Sequence, residues 1–245
     1  MKRALILAAG VGSRLGALTA ARPKCLLPVR GRPLLAHWLD RLHAQGCGEA
    51  LINTHYLADQ VEEFLRAARP RYAGMAIRTA YEPRLLGTAG TIWTNQAALP
   101  EEFFLINGDV VVELDLAPMW ALHAERRPLV TMAYVHRDNV AGCGIVELNE
   151  RQEIVAFEEK PKVPRTHFVY AGLCVLSPRI FRVLPFAGRA PDFAGLDFGF
   201  DVLPRCLGHI VGYRIEQPLV DIGTPETYAA VMSEAPGSAR VFRPS

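Results

Sequence analysis

The stretch that decides the fold is ALILAAGVGSRLG, which occupies residues 4–16. Its first six residues are apolar, and a continuous apolar run of this length is typical of a fully buried β-strand. The run ends in the segment 10–16, the glycine loop, where three glycines allow the backbone to fold tightly and to approach a ligand closely. The pattern predicts a buried strand followed by a ligand-binding loop.

Positive charge is concentrated around this loop. Residues 1–39 contain seven Lys or Arg and no acidic residue, because the first carboxylate of the chain is Asp40. The whole chain has a formal charge of only +2, so the remainder sums to −5. Exposed backbone N–H groups together with clustered cations favour a polyphosphate ligand.

The spacing of the glycine loop excludes two common phosphate-binding motifs. A P-loop requires a Lys directly after its last glycine, whereas Ala17 follows Gly16. A dinucleotide-binding fingerprint requires a third glycine where Leu15 stands, and an acidic residue about 20 positions further on. Arg30 and Arg32 occupy that later region instead. The loop therefore belongs to neither class.

The order of short motifs in this region resembles that of the sugar-1-phosphate nucleotidyltransferases. The resemblance rests on LAAG at 7–10, GSRL at 12–15, PK at 23–24 and LP at 27–28, and it extends to about Tyr228. It implies Mg²⁺-dependent transfer of a nucleotidyl group from an NTP to a sugar 1-phosphate, giving an NDP-sugar and pyrophosphate. Later motifs are similar to those of mannose- and heptose-1-phosphate guanylyltransferases, which favours GTP.

Alternating helix and strand patterns follow the loop. Residues 34–42 carry an apolar helical stripe, residues 50–53 form a second buried-strand pattern, and residues 59–68 form a second helical one. This alternation predicts βαβ units and an α/β fold with a mostly parallel sheet. Two apolar segments flanking 149–151 predict an antiparallel hairpin, so the sheet is expected to be mixed. The resemblance implies the Rossmann-like, three-layer α/β/α form of this fold.

Length and composition set the expected class of protein. We expect a single nucleotidyltransferase domain over 1–234 and a loose tail rich in Pro, Gly, Ser and Arg over 235–245. No apolar run approaches the roughly 18 residues of a membrane span, and no signal-peptide pattern is present. The five widely spaced cysteines suit buried thiols in a reducing cytoplasm. We therefore expect a cytoplasmic protein that binds neither membranes nor nucleic acid and that could form a homodimer.

Three further motifs lie where predicted strands end or helices begin. GTAG at 87–90 opens a helix, NGD at 107–109 ends a strand, and Asp221 ends another. Acidic residues at the carboxyl ends of strands lie where open α/β sheets bind ligands, although each motif alone could be an ordinary capped turn. The resemblance implies that GTAG contacts the nucleotide base, with small Ala89 and Gly90 admitting a purine. It also implies that Asp109 and Asp221 bind Mg²⁺.

Two motifs of the second half concern the sugar. EEKP at 158–161 is by itself typical of a solvated charge run at a strand end, and YAG at 170–172 lies on the next strand. The resemblance implies that these elements hold the sugar and its phosphate. Tyr170 stands where the family pattern has Asn, and Gly199 stands where a Glu is expected. The identity of the sugar is therefore left open.

The resemblance implies the following site residues. The catalytic residues are Arg14, Lys24 and Asp109. The nucleotide-binding residues are Leu7, Ala8, Gly10, Gly12, Ser13, Arg14, Gly87, Thr88, Asn107 and Gly108. The sugar-phosphate residues are Gly144, Glu159, Lys160 and Tyr170, and the metal ligands are Asp109 and Asp221.

Three alternatives stay open at this point. One is a uridylyl- or thymidylyltransferase for a glucose- or muramic-type sugar 1-phosphate. Another is a non-catalytic regulatory or binding subunit on the same fold, which predicts loss of Lys24, Asp109 or Asp221, yet all three are present. The third is a cytidylyl- or molybdopterin-type nucleotide transferase, which would not need EEKP at 158–161.

Overall fold

The structure is a computed structural model that describes residues 1–183, 195–217 and 219–233. Two compact units are present. The first comprises Met1–Leu85, Ile106–Asp115 and the described part of Gln217–Arg243, and the second comprises Leu86–Leu105 and the described part of Leu116–Glu216. The expected tail, 235–245, lies outside the described residues, and the single domain stays a prediction.

Strands and helices alternate along the chain. The strands are β1 (Arg3–Leu7), β2 (Pro28–Val29), β3 (Arg32–Pro33), β4 (Glu49–Thr54), β5 (Ala76–Tyr81), β6 (Phe103–Asn107), β7 (Val110–Val112), β8 (Val130–His136), β9 (Gly144–Leu148), β10 (Ile154–Glu159), β11 (Phe168–Leu176), β12 (Ile210–Arg214) and β13 (Leu219–Asp221). The α-helices are α1 (Leu34–Ala44), α2 (Ala58–Ala68), α3 (Thr88–Thr94), α4 (Ala117–Arg126) and α5 (Pro225–Ser233). Shorter turns include a 3-10 segment at Ser13–Leu18 and a π-helical turn at Phe198–Val202.

The first unit contains a parallel β-sheet. β1 pairs in parallel with β4, which pairs in parallel with β5, so Leu5 lies opposite Leu51. Leu5 and Ile6 of β1 are both fully buried, which explains the continuous apolar run from residue 4 to residue 7, since strands of covered parallel sheets are buried on both faces. β7 and β13 form a separate antiparallel pair in this unit.

Helix α1 buries an apolar face in the first unit. Leu34, Leu35, Leu39 and Leu42 are fully buried at the helical spacing that the sequence predicts. The helix ends at Ala44, and Gly46 follows with a positive φ of 68°. Glycine accepts that conformation without strain and is the residue most often found just past the end of a helix.

The second unit is mixed. β9 and β10 form the predicted antiparallel hairpin, and β11 pairs antiparallel with β8 and β9. β12 pairs with β8 in parallel. β6 begins among residues of the second unit and ends among those of the first. Alternating helices and strands with both pairing directions confirm the predicted α/β class and mixed sheet.

The five cysteines are thiols and are not joined in disulfides. Cys25, Cys47, Cys174 and Cys206 are buried, whereas Cys143 is partly exposed. Burial raises the pKa of Cys25, Cys174 and Cys206 to about 12, so these thiols stay protonated.

No helix in the described part of the chain combines the length and the apolar character needed to cross a membrane.

His123 of α4 is a buried titratable group in the second unit. Its side chain is only 4% exposed, and its Nδ1 forms a 2.8 Å hydrogen bond with Thr131 Oγ1 of β8. Burial lowers the pKa of His123 to about 4, while Glu102 raises it and Arg179 lowers it by smaller effects. A histidine in an unfolded chain has a pKa of ~6.5. The folded protein therefore keeps His123 neutral at pH values where His123 of the unfolded chain is protonated.

We expect the His123→Gln variant to lose less stability in acid than the wild type. Between about pH 7 and about pH 4.5, His123 takes up a proton in the unfolded wild type but stays neutral in the folded protein. The free energy of unfolding of wild type therefore falls as the pH falls. The variant has no such proton to gain, and wild type should lose about 1–3 kcal/mol more over this window. Urea denaturation at the two pH values measures the difference, and equal losses would contradict the assignment.

Candidate active site

The glycine loop is anchored at the end of β1 by a side chain from β4. The N–H groups of Ala8 and Ala9 both donate to Asn53 Oδ1, at 2.6 and 3.2 Å. The amide of Ala8, one of the predicted nucleotide-binding residues, is therefore already used inside the protein. Beyond Ala9, Gly10 and Ser13 are exposed to solvent. The part of the loop open to a ligand begins at Gly10.

Gly12 shapes the loop through its own conformation. It has a φ of +69°, in the left-handed region, and its carbonyl accepts from Leu15 N at 2.9 Å and from Thr19 Oγ1 at 3.0 Å. A Cβ at this position would lie 2.9 Å from Thr19 Cγ2 and 3.3 Å from Lys24 Cβ. A Cβ at Gly10 would meet nothing within 4 Å. The fold itself therefore requires glycine at position 12 but not at position 10.

The predicted NGD motif lies directly against the end of β1. Gly108 N donates to Leu7 O at 3.0 Å, and a Cβ on Gly108 would come within 2.7 Å of that same oxygen. Only glycine permits this backbone approach. It places Asn107 at the end of β6 and Asp109 just before β7.

Lys24 and Asp109 form an ion pair beside the loop. Lys24 Nζ donates to Asp109 Oδ2 at 2.7 Å, and the two side chains are 12% and 32% exposed. Such a partly buried pair could serve stability alone, but it contributes little when desolvation offsets the attraction. An ammonium group has three N–H donors, and Asp109 takes one of them. The remaining donors are available to an anion bound at the loop.

Asp221 and Arg14 lie near the same pair of strands. β13 pairs with β7 so that Asp221 is opposite Val110, and Ile222 N donates to Asp109 O at 2.9 Å. A Cβ added at Gly223 would lie 3.2 Å from Asp221 Oδ1 and 3.3 Å from Arg14 Nη2. The first unit thus brings together the glycine loop, Lys24, Asp109, Asp221 and the exposed guanidinium of Arg14.

These carboxylates suit a hard divalent cation. No cluster of three or more His, Cys, Asp or Glu with metal-binding geometry occurs in the described part of the chain. Mg²⁺, however, commonly uses one or two protein carboxylates and takes its other ligands from substrate phosphates and water. Asp109 and Asp221, at the ends of paired strands, fit that requirement.

In the second unit, Thr88 is held by the π-helical turn. Its hydroxyl donates to Asp197 Oδ2 at 3.0 Å and accepts from Phe198 N at 2.6 Å. Gly87 approaches the backbone so closely that a Cβ there would lie 2.2 Å from Leu196 O. The Thr88 hydroxyl, predicted to contact a nucleotide, is thus engaged as both donor and acceptor within the protein.

The sequence-based reason for a purine at this motif needs correction. Ala89 and Gly90 are buried, and Ala89 N donates to Leu196 O at 3.1 Å. Their small size therefore serves packing of α3 rather than space for a base.

Glu159 is enclosed by two glycines. A Cβ on either Gly144 or Gly199 would lie 2.7 Å from Glu159 Oε2, so both positions exclude side chains as long as Glu159 stays in place. Burial raises the pKa of Glu159, Lys160 opposes this shift, and Asp197 adds to it. The glycine that replaces the expected Glu at 199 is explained by this packing, since the space is filled by the Glu159 carboxylate.

Lys160 and Tyr170, the other predicted sugar-phosphate residues, also lie in the second unit. Lys160 has a φ of +52°, and its Nζ is 3.5 Å from Glu159 Oε1 and 5.8 Å from the centre of the Phe200 ring. Tyr170 is partly buried, and its hydroxyl accepts from Cys174 Sγ at 3.5 Å. Burial raises the pKa of Tyr170 well above its ordinary value, so the phenol is neutral.

Sequence reasoning missed Asn53, Glu82 and Asp197. Asn53 carries a signal that could have identified it, since it follows the apolar run 50–52 just as Asn107 follows the apolar run 103–106. Asp197 precedes the π-helical turn Phe198–Val202, and its Oδ1 accepts from the N–H groups of Gly199 and Phe200.

The chain is similar to known proteins over nearly its whole length. The family model described as nucleotidyl transferase matches residues 3–236. A mannose-1-phosphate guanylyltransferase of Mycobacterium tuberculosis is 31% identical over 92% of this chain and 62% of the relative. A UTP–glucose-1-phosphate uridylyltransferase of Synechocystis is 26% identical over 94% of this chain and 62% of the relative.

A solved structure shows the same fold. HddC from Yersinia pseudotuberculosis superposes with a TM-score of 0.78 at 25% identity, covering 95% of this chain and 98% of that one. The chain spans about three fifths of the length of the two sequence relatives, at 62% in each case. The bases in the names of those two relatives differ, so the names alone do not choose a base.

We expect the Gly12→Ala variant to be less stable than wild type by about 1–2 kcal/mol, because alanine is strained in the left-handed region. The matched Gly10→Ala variant should unfold as wild type does, since Gly10 has neither a positive φ nor a neighbour within 4 Å of its Cβ position. Chemical denaturation of both variants provides the measurement. Equal stability of the two variants would contradict the assigned role of Gly12.

Proposed function

The chain belongs to the nucleotidyl transferase family, and from that premise we propose that it transfers a nucleotidyl group from an NTP to a sugar 1-phosphate. The products are an NDP-sugar and pyrophosphate, and GTP is the favoured NTP. The observation that carries the proposal is the Lys24–Asp109 pair, with Nζ 2.7 Å from Oδ2, beside a loop of exposed backbone N–H groups. Nucleotidyl transfer uses this arrangement of charges, whereas a non-catalytic subunit does not require it.

The first unit supplies the groups that bind the triphosphate. Backbone N–H groups from Gly10 to Ser13 and the Arg14 guanidinium bind the β- and γ-phosphates, which leave as pyrophosphate. Lys24 Nζ donates to an oxygen of the α-phosphate. Asp109 and Asp221 would hold Mg²⁺, which when bound would offset the negative charge of the phosphates.

The reaction needs positioning more than covalent chemistry. An oxygen of the sugar phosphate attacks the α-phosphorus, and the bond from that phosphorus to the oxygen bridging the β-phosphorus breaks. No general base is required, because a sugar phosphate dianion is already a nucleophile near neutral pH. Lys24 stabilises the charge that develops on the α-phosphate oxygens, and it needs no reorganisation to do so.

The second unit supplies the groups for the sugar. The Glu159 carboxylate accepts hydrogen bonds from sugar hydroxyls, and Lys160 Nζ, 3.5 Å from Glu159 Oε1, binds the sugar phosphate. Gly144 and Gly199 leave no side chain to cover Glu159 Oε2. The Thr88–Asp197 hydrogen bond holds α3 against the π-helical turn, so Thr88 positions the backbone of Gly87.

GTP is favoured because the relative at 31% identity is named a guanylyltransferase. Uridylyl transfer is the second candidate, because the relative at 26% identity is named a UTP-dependent enzyme. A base is best discriminated by buried hydrogen-bonding groups, which are left unpaired by the wrong base.

A matrix of the four NTPs and dTTP against sugar 1-phosphates, with pyrophosphate release as readout, tests the proposal. We expect release in Mg²⁺ that requires both substrates and is highest with GTP and a manno-configured sugar 1-phosphate. Preference for UTP or dTTP would replace the guanylyl assignment and leave nucleotidyl transfer intact. Absence of release with every pair would overturn the proposed function.

Substitutions at the charged groups should separate catalysis from folding. We expect Lys24→Ala to lower kcat by about 10²-fold or more, the scale of one lost electrostatic contact to the transition state. Asp109→Asn and Asp221→Asn should each remove most of the Mg²⁺-dependent turnover with little change in the far-UV spectrum, because carboxylates at strand ends support a ligand more than a core.

The exposed residues Lys162 and Asp59 provide matched controls. Lys162→Ala and Asp59→Asn should keep wild-type kinetics. A change confined to KM in Lys24→Ala would assign Lys24 to ground-state binding instead of transition-state stabilisation.

A further inference from the structure

Two buried polar side chains lie beneath the start of the glycine loop. Asn53 ends the apolar part of β4 and is 4% exposed, and Glu82 follows β5 and is 3% exposed. Neither was predicted from the sequence, and neither takes part in the proposed reaction. Burial of polar groups is costly unless their hydrogen bonds are made, so this pair calls for an explanation.

The hydrogen bonds of Asn53 have a fixed direction. Its Oδ1 accepts from Ala8 N at 2.6 Å and from Ala9 N at 3.2 Å. Its Nδ2 donates to Glu82 Oε1 at 2.9 Å. Two backbone donors on one side and a carboxylate acceptor on the other allow only one orientation of the amide.

Glu82 is itself held at a defined place. Its N–H donates to Thr54 O at 2.8 Å, and its carbonyl forms a 2.7 Å hydrogen bond with His55 Nδ1. These bonds continue the pairing of β5 with β4 beyond Tyr81. The carboxylate therefore reaches Asn53 from a backbone that both strands support.

We propose that Asn53 and Glu82 are a positioning pair that sets where the anion-binding part of the glycine loop begins. Glu82 orients the amide of Asn53, and Asn53 occupies the N–H groups of Ala8 and Ala9. The next residue, Gly10, is then the first whose backbone faces a polyphosphate. The inference rests on the proposed function only in naming an NTP as the natural source of that polyphosphate.

A reversal of the hydrogen-bond direction tests the pair. In Asn53→Asp, two carboxylates face each other where an amide now faces a carboxylate, and their repulsion displaces the loop support. In the double variant Asn53→Asp with Glu82→Gln, the aspartate still accepts from Ala8 and Ala9, and the glutamine amide donates to it. The double variant should therefore recover what the single variant loses.

We expect Asn53→Asp to raise the KM for the NTP about tenfold or more, the effect of losing one buried hydrogen-bond arrangement. The KM for the sugar 1-phosphate should change less than about twofold, and the double variant should return to within about threefold of wild type. Glu82→Gln alone should stay near wild type, because its amide oxygen can still accept from Asn53. Thr54→Val is the control, since Thr54 is a buried neighbour whose hydroxyl makes no hydrogen bond to the described residues 1–183, 195–217 and 219–233.

Calorimetric titration with inorganic tripolyphosphate separates this inference from the proposed function. If wild type binds tripolyphosphate but turns over no substrate pair, the order of affinities among the variants still tests the positioning pair. If Asn53→Asp does not fold, a double variant that matches Glu82→Gln in binding supports the inference. Unchanged binding in Asn53→Asp, no recovery in the double variant, or no tripolyphosphate binding by wild type would overturn it.

Discussion

The close approach of Gly108 to the end of β1 is the constraint on which the rest of the first unit depends. Gly108 N donates to Leu7 O at 3.0 Å, in a space that a Cβ would fill. Because two backbone segments meet there without a side chain between them, Asp109 is carried to the position from which it pairs with Lys24. The charges of the candidate site are thus placed by backbone geometry, and any residue larger than glycine would separate them.

Local sequence patterns predicted the fold well for a physical reason. β1 is indicated by a continuous apolar run, and α1 is indicated by apolar residues at helical spacing. Gly46 lies past the end of α1, where the backbone has a positive φ. Such signals depend on neighbours within a few residues. The hydrogen bonds from Ala8 and Ala9 to Asn53 span 45 and 44 positions, so no local pattern contains them.

The residues of the candidate site likewise fall into those that local sequence patterns indicate and those that depend on distant contacts. The glycine loop and the NGD motif could be identified because their residue types are constrained at short spacing. The roles of Thr88 and Ala89 could not, because they depend on Leu196 and Asp197, more than a hundred positions away, and on a π-helical turn that periodicity does not predict. The reason for glycine at position 199 could not be predicted either, because it depends on the distant Glu159 carboxylate, which a side chain at 199 would displace.

The distribution of the thiols has a practical consequence for spectroscopy. Four cysteines are buried, and burial keeps three of them protonated with pKa values raised to about 12, which makes them slow nucleophiles. Cys143 is the partly exposed thiol, and its carbonyl accepts from Lys160 N at 3.0 Å, one residue before Gly144. A maleimide fluorophore would therefore attach selectively to the native chain beside Glu159 and Lys160, where its emission would provide a direct test of the proposed sugar site.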